Sequence, residues 1–260
     1  MTMSLSENQV TKIRQLEDHS FKAVPAEQEI DLDGWRIRIS GGHTKRINSV
    51  NFLTPGQRPT DEKIKTVEAL FQTAKKAPCF RMTPLASPEN LKEILRKSGY
   101  SEIDHTDVRL LDLTSFQGQD VVASLETSNS LTSDWITAHL AIKGLGDDLR
   151  EPLTAMYERI DLPTAYVSYR LNNRTVSIGM AVFSETCVGL FDFMTDQNHQ
   201  RNGLARDIAV SLLTTAKKRS VKTAYLQVVK DNIGAQKFWQ SVGFNDILYS
   251  YCYQIKSSTD

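Results

Sequence analysis

The hydrophobic and polar positions of the 260-residue chain resolve most clearly in its C-terminal half. Residues 188–195 form an apolar run with strand character. Ile208, Leu212, Leu213 and Ala216 then recur at helical spacing, and Lys217, Lys218 and Arg219 stand where a helix C-terminus favours cations. Residues 224–229 read as another strand. The segment 231–244 reads as a short helix stopped by Gly243 in a left-handed cap, and 247–255 as a last strand. Upstream, Thr132, Ser133 and Asp134 form a capping stretch before Trp135, Ala138, His139 and Ile142 at helical spacing. A second helix around 150–160 leads past Pro163 into a strand at 165–170, which turns through Leu171, Asn172 and Asn173 into a strand at 176–183.

Part of this pattern recurs in the N-terminal half. Leu70-Phe-Gln-Thr-Ala-Lys-Lys76 parallels Leu212-Leu-Thr-Thr-Ala-Lys-Lys218. At nearly the same interval, Asn90-Leu-Lys-Glu-Ile-Leu-Arg-Lys-Ser-Gly-Tyr100 parallels Gly234-Ala-Gln-Lys-Phe-Trp-Gln-Ser-Val-Gly-Phe244. Residues 79–82 fill the place of a strand between them, and 108–113 supply a final one. A shared interval points to duplication of a whole domain; chance likeness of two amphipathic helices is the competing explanation. The expected division is a first domain over 1–115, a linker over 116–130 and a second domain over 131–260. The linker is rich in Ser, Thr, Gln and Gly and lacks periodicity.

Candidate chemistry concentrates where Gln200-Arg201-Asn202-Gly203-Leu204-Ala205 opens a helix. A small-residue loop at a helix start leaves several backbone N–H groups aimed at one spot, at the positive end of the helix dipole, which suits a diphosphate. Gly203 and Ala205 let a phosphate approach the main chain. This loop and the segment Asn232…Phe244 resemble the two signatures of the GCN5-related N-acetyltransferase (GNAT) superfamily. The first signature is Gln or Arg, two residues, Gly, one residue, then Gly or Ala; it is met at Gln200, Gly203 and Ala205. The second is met at Asn232, Ala235, Phe238, Gly243 and Phe244. The resemblance covers roughly 160–255.

It implies an α+β fold, with a central, mostly antiparallel twisted sheet flanked by helices, built as two GNAT-like domains. It also implies acetyl-CoA as cosubstrate and no metal. Phe193, Met194 and Thr195 would pair with the pantetheine arm, and a β-bulge would aim the N–H of Met194 or its neighbour at the thioester. Arg201, Asn202, Gly203, Leu204, Ala205 and Arg206 would take the diphosphate, largely by backbone, and Asn232 would reach the pantetheine arm. In the first half the corresponding loop is Gln57-Arg58-Pro59-Thr60. Proline lacks an N–H and the glycine is missing, so this copy should hold no coenzyme.

Two departures stand out. The glutamate base of many family members is Gln227 here, and the tyrosine acid is Trp239, whose indole N–H donates but is no practical acid. Asp192, on the cofactor strand, is the candidate catalytic residue, relaying a proton through water; a solvent-facing or strand-capping aspartate is the alternative. Tyr249, Tyr251 and Tyr253 alternate on one strand face, which suits core packing or proton handling. His139 falls in an apolar helical pattern, His199 in the phosphate loop, Glu185 at a strand end, and His19, His43 and His105 in no motif. Within 35–50, Arg46, Asn48 and Ser49 either face the acceptor or belong to an ordinary hairpin and loop.

Charge and composition narrow the partners. With 31 basic and 31 acidic side chains the net charge is zero, so no global attraction for nucleic acid or membrane is expected. No apolar stretch reaches the length of a membrane span. The polar start lacks signal-peptide character, and three scattered cysteines form no metal spacing and cannot all pair, which suits a reducing cytoplasm. The expected activity is direct acetyl transfer to an amine of a small molecule or peptide, by a monomer or homodimer. A non-catalytic acyl-CoA sensor is the alternative. Aminoacyl transfer from charged tRNA is a minor one, opposed by the zero net charge.

Overall fold

A computed structural model describes residues 5–42, 44–118 and 124–256; His43 and part of the expected linker lie outside them. The helical and strand periodicities of the C-terminal half form the elements they predict: α4 (Ser133–Lys143), α5 (Arg150–Glu158), β7 (Thr164–Leu171), β8 (Arg174–Phe183), β9 (Cys187–Thr195), α6 (Leu204–Lys218), β10 (Thr223–Val229), α7 (Ile233–Val242) and β11 (Asp246–Ile255). Thr132 caps α4 through its side chain, and Gly243 ends α7 in the left-handed region at φ 117°. The N-terminal half forms α1 (Glu7–Ala23), β1 (Gln28–Leu32), β2 (Trp35–Ile39), β3 (Ser49–Phe52), α2 (Thr60–Thr73), β4 (Cys79–Met82), α3 (Leu91–Lys97) and β5 (Ser101–Asp112). Helix α1 was not foreseen, although Ser6 and Gln9 form a reciprocal capping box at its start. The interval 116–130 is more than a connector: β6 (Leu125–Ser128) pairs with β7 as an edge strand. Its polar residues suit an exposed sheet edge and leave no hydrophobic alternation to read.

Among the described residues the strands form one 11-stranded sheet in the order β1-β2-β3-β4-β11-β5-β10-β9-β8-β7-β6. All pairings are antiparallel except β3 with β4 and β9 with β10. The last strands of the two halves lie side by side at the centre, each against strands of the opposite half: β5 on β10, and β11 on β4. On one sheet face α1, α4 and α5 bury Ile13, Leu16, Trp135, Ile136 and Tyr157 against β8, β10 and β11. On the other, α6 and α7 bury Ile208, Leu212, Leu213, Ala216 and Trp239, while Phe71, Leu91 and Leu95 of α2 and α3 cover Trp35, Val50 and Phe80. Burial of these apolar faces supplies the main driving force for closing the layers.

Glu17 of α1 accepts from Arg81 of β4 and from the hydroxyl of Tyr249 on β11, so one carboxylate ties three elements together. Tyr249, Tyr251 and Tyr253 are all buried. Cys79, Cys187 and Cys252 are free and buried. Among the described residues, no helix is long and apolar enough to cross a membrane, and no group of three or more His, Cys, Asp or Glu is placed to hold a metal ion.

Candidate active site

β9 and β10 pair only where Cys187, Val188 and Gly189 face Thr223, Ala224 and Tyr225. Beyond this point the strands part, and a cavity of about 580 Å³ opens in the wedge. Leu190 to Met194 form one wall and Leu226 to Val229 the other, with Asn232 and Trp239 of the α7 segment at the end. The parting leaves a row of β9 peptide groups without a neighbouring strand. Such a row can pair with an extended ligand as an added strand would.

The β8–β9 register slips between Ile178↔Met194 and Met180↔Phe191, so Asp192 and Phe193 together oppose Gly179 in a β-bulge. Asp192 adopts φ 51°, in the left-handed region that aspartate tolerates better than most residues. Gly179 is required here because a Cβ would come within 2.9 Å of Ile208 and 3.0 Å of the Phe193 ring. The bulge turns Asp192 toward α5, where its carboxylate accepts from the Tyr157 hydroxyl at 2.9 Å; that hydroxyl lies 3.2 Å from Nδ1 of His139. Burial works to raise the Asp192 carboxyl. Arg46 foremost, then His139, Lys143 and the Tyr157 hydrogen bond, hold it below the ordinary carboxylate range. Burial, reinforced by the Asp192 charge, pushes the Tyr157 phenol far above its usual value, so this hydroxyl keeps its proton.

The other expected proton-handling positions are packed rather than poised. Gln227 donates to Ser20 Oγ at 2.8 Å and accepts from the Tyr251 hydroxyl at 2.8 Å, so both ends of its amide are engaged. Trp239 stacks edge-to-face on Phe193, with ring centroids 4.8 Å apart. His139 is buried in α4. His199 contacts Asp196, which also takes Arg174 and the N–H of Asn198, a structural role in the loop. Glu185 is exposed in the β8–β9 turn.

Ahead of α6 the backbone is arranged for an anion. Arg201 has φ 64° and Gly203 φ 83°. The N–H groups of Arg206 and Asp207 close on the Gly203 carbonyl. Among the described residues, those of Arg201, Asn202, Gly203, Leu204 and Ala205 find no acceptor. Nothing lies within 4 Å of where a Gly203 Cβ would be. The side chains of Asn202 and Arg206 are turned to the carbonyls of His199 and Ser241, leaving the main chain as the donor surface. Phe193 and Met194 line the cavity, whereas the Thr195 hydroxyl is joined to Ser177. Asn232 borders the cavity too, but its side-chain oxygen caps α7 on the N–H of Ala235, which leaves its NH₂ for a ligand.

The equivalent start of α2 is differently filled. The Asp33 carboxylate accepts the N–H groups of Gln57 and Arg58, each at 2.8 Å, and Lys63 Nζ lies 3.4 Å away. An internal carboxylate thus takes the place of an external anion, beyond what Pro59 alone explains. The N-terminal half contributes elsewhere: Thr44, Lys45, Arg46, Asp104 and Thr106 border the cavity of the other half. Of the three residues singled out within 35–50, only Arg46 reaches it. Asn48 bonds Ser40, Gly42 and Thr44, and Ser49 is buried in β3. Lys45, Asp104 and Lys143 carried no signal in the sequence and come to the cavity from distant elements, and Tyr157 joins it only through its hydrogen bond to Asp192.

A mostly antiparallel sheet with one parted parallel pair, a bulge facing the gap and a donor-rich helix start is the architecture of the GNAT superfamily, to which this chain belongs. Within it, the chain belongs to the family described as "Probable histone acetyltransferase Rv0428c C-terminal", matched over residues 10–250. It is 22% identical over 247 residues to "Uncharacterized N-acetyltransferase YobR" of Bacillus subtilis (strain 168), covering 94% of this chain and 98% of that one. Over 86 residues it is 34% identical to the [Ribosomal protein bS18]-alanine N-acetyltransferase of Escherichia coli (strain K12), covering 31% of this chain and 56% of that one. Among solved structures, a GCN5-related N-acetyltransferase from Kribbella flavida superposes with TM-score 0.69 at 12% identity, covering 98% and 97% of the two chains. A tandem GNAT protein from the clavulanic acid biosynthesis pathway gives 0.61 at 11% identity, covering 82% and 76%.

Proposed function

We propose that this chain transfers an acetyl group from acetyl-CoA directly to an amine, in a ternary complex formed in the β9–β10 wedge. The observation that carries the reading is the succession of two features along the chain: the bulged edge of β9 that faces the wedge, then the acceptor-free N–H groups ahead of α6. The first suits the extended pantetheine arm and the second its diphosphate. The amine nitrogen attacks the thioester carbonyl carbon, forming C–N and breaking C–S. The ammonium proton passes to water before attack, and the thiolate regains one on leaving. An aspartate held below its normal range is a weak base. We therefore read Asp192 as the anion that holds the incoming ammonium beside the bulge while water carries the proton.

The halves of the chain we read as a duplicated unit with exchanged last strands, in which the first copy keeps the fold and lends residues to the cavity of the second. Gln227 and Trp239, both engaged in packing, favour a second reading in which the chain binds acyl-CoA without turning it over. Calorimetric titration with acetyl-CoA, followed by CoA-thiol release with a panel of amines, separates the two. Tight binding with release only to water supports the sensor, and absence of binding sinks both.

A further inference from the structure

Two opposite charges border the acceptor side of the cavity without touching each other. Asp192 projects from the bulge, and Arg46 reaches in from the turn between β2 and β3. Among the described residues, the Arg46 guanidinium makes no hydrogen bond and no ion pair; it rests over the Phe191 ring with its carbon 5.9 Å from the centroid. Its electrostatic partner is Asp192, yet no ion pair joins them. A planar fork of five donors, left open on a largely enclosed surface, matches a carboxylate in shape as well as charge. The remaining charges point the same way. Lys45 is spent on Asp104 at 2.8 Å, whereas Lys143 has no such partner among the described residues, so the wall around Asp192 carries a net positive charge.

Building on the acetyl-transfer reading, we infer that the acceptor is a zwitterion, a free amino acid or close analogue whose ammonium sits at Asp192 and whose carboxylate is taken by Arg46. In an α-amino acid one carbon separates the two groups, so a single small molecule would bridge the pair of protein charges. A polyamine would bring a second cation against Arg46 and Lys143. A protein N-terminus would offer Arg46 an amide in place of an anion. Both are disfavoured by the same charges that favour the zwitterion.

The test compares the proteinogenic amino acids with their α-carboxamides, spermidine and an alanine-initiated peptide amide, following CoA-thiol release, with acetyl-CoA binding measured separately by calorimetry. At least one free amino acid should be used with kcat/KM about tenfold or more above its carboxamide. Arg46→Met should raise KM for that acid about 10- to 100-fold, as loss of a charge-assisted pair implies, and should change KM for the carboxamide far less, since that acceptor feels Arg46 only through Asp192. Arg46→Lys should recover part of the loss, and the melting transition of each variant checks that it folds. Equal use of acids and carboxamides by the unaltered protein overturns the inference, whether or not any variant folds. So does preference for spermidine or the peptide, or an acid preference that survives Arg46→Met. If acetyl-CoA binds but no amino acid is acetylated, the zwitterion falls and the coenzyme reading stands. If acetyl-CoA does not bind, both fall.

Discussion

Helix α1 packs against β9 and β10, the strands that part at the wedge, and its one buried histidine makes that layer sensitive to acid. His19 is 4% exposed, its Nδ1 lies 2.7 Å from the Tyr225 hydroxyl on β10, and its Nε2 has no partner among the described residues. Protonation would place a charge in an apolar layer with one N–H unsatisfied. Burial, chiefly, lowers the imidazole from 6.5 to about 4. At about 1.4 kcal/mol per decade of proton affinity, the gap is worth roughly 3 kcal/mol. The sign follows from proton counts. Between the two values the unfolded chain binds the proton and the folded chain does not, so stability falls as pH drops through this window and levels off near pH 4. About 2 kcal/mol should be lost between about pH 7 and about pH 4.5. His19→Asn keeps a polar atom near the Tyr225 hydroxyl but cannot titrate. Urea unfolding followed by tryptophan fluorescence at both pH values, in both proteins, isolates the term. The carboxylates held below their ordinary range, such as Asp192, release their stabilisation only at lower pH still and so drop out of the comparison. A difference between the two proteins that does not change with pH would refute the reasoning.

Gly203 lies at φ 83° with open space around it, so Gly203→Val should cost the fold only about 1 kcal/mol of backbone strain while weakening acetyl-CoA at least roughly tenfold; unchanged affinity by calorimetry would contradict the assignment of the loop. Asp192→Asn retains a side chain that accepts φ 51°, and should lower turnover at least roughly tenfold at saturating coenzyme; an unaffected rate removes Asp192 from the mechanism. Because Asp33 occupies the start of α2, calorimetry should return one acetyl-CoA per chain, and a stoichiometry of two would show that the first copy binds as well.

How far the sequence could be read depends on whether a feature is local. The turn at Gly203 and the stop at Gly243 are each set by backbone chemistry within a few residues and lie where the sequence placed them, whereas the cap that Asn232 makes on α7 was not read from it. The bulge at Asp192 required the resemblance, since a lone aspartate within the apolar run 188–195 does not by itself mark a register slip. Arg46 was visible as one of three polar residues in a loop, and nothing local separated it from Asn48, which turned out to bind its own loop. Tyr157 and Lys143 were ordinary helical residues until α4 and α5 packed beside β8 and β9.

From sequence alone came the class of fold, the donor-rich turn that opens α6 and the absence of its glycine ahead of α2, because short-range sterics and orphan N–H groups decide those matters. Tertiary structure decided which strand neighbours which. β11 lies between β4 and β5, and β5 between β11 and β10, an order that only the assembled sheet selects. It also decided that a carboxylate from the β1–β2 turn fills the first loop. Above all, it brought an arginine from one half to the same cavity as an aspartate from the other, a placement of charges far apart in the chain that no local pattern encodes.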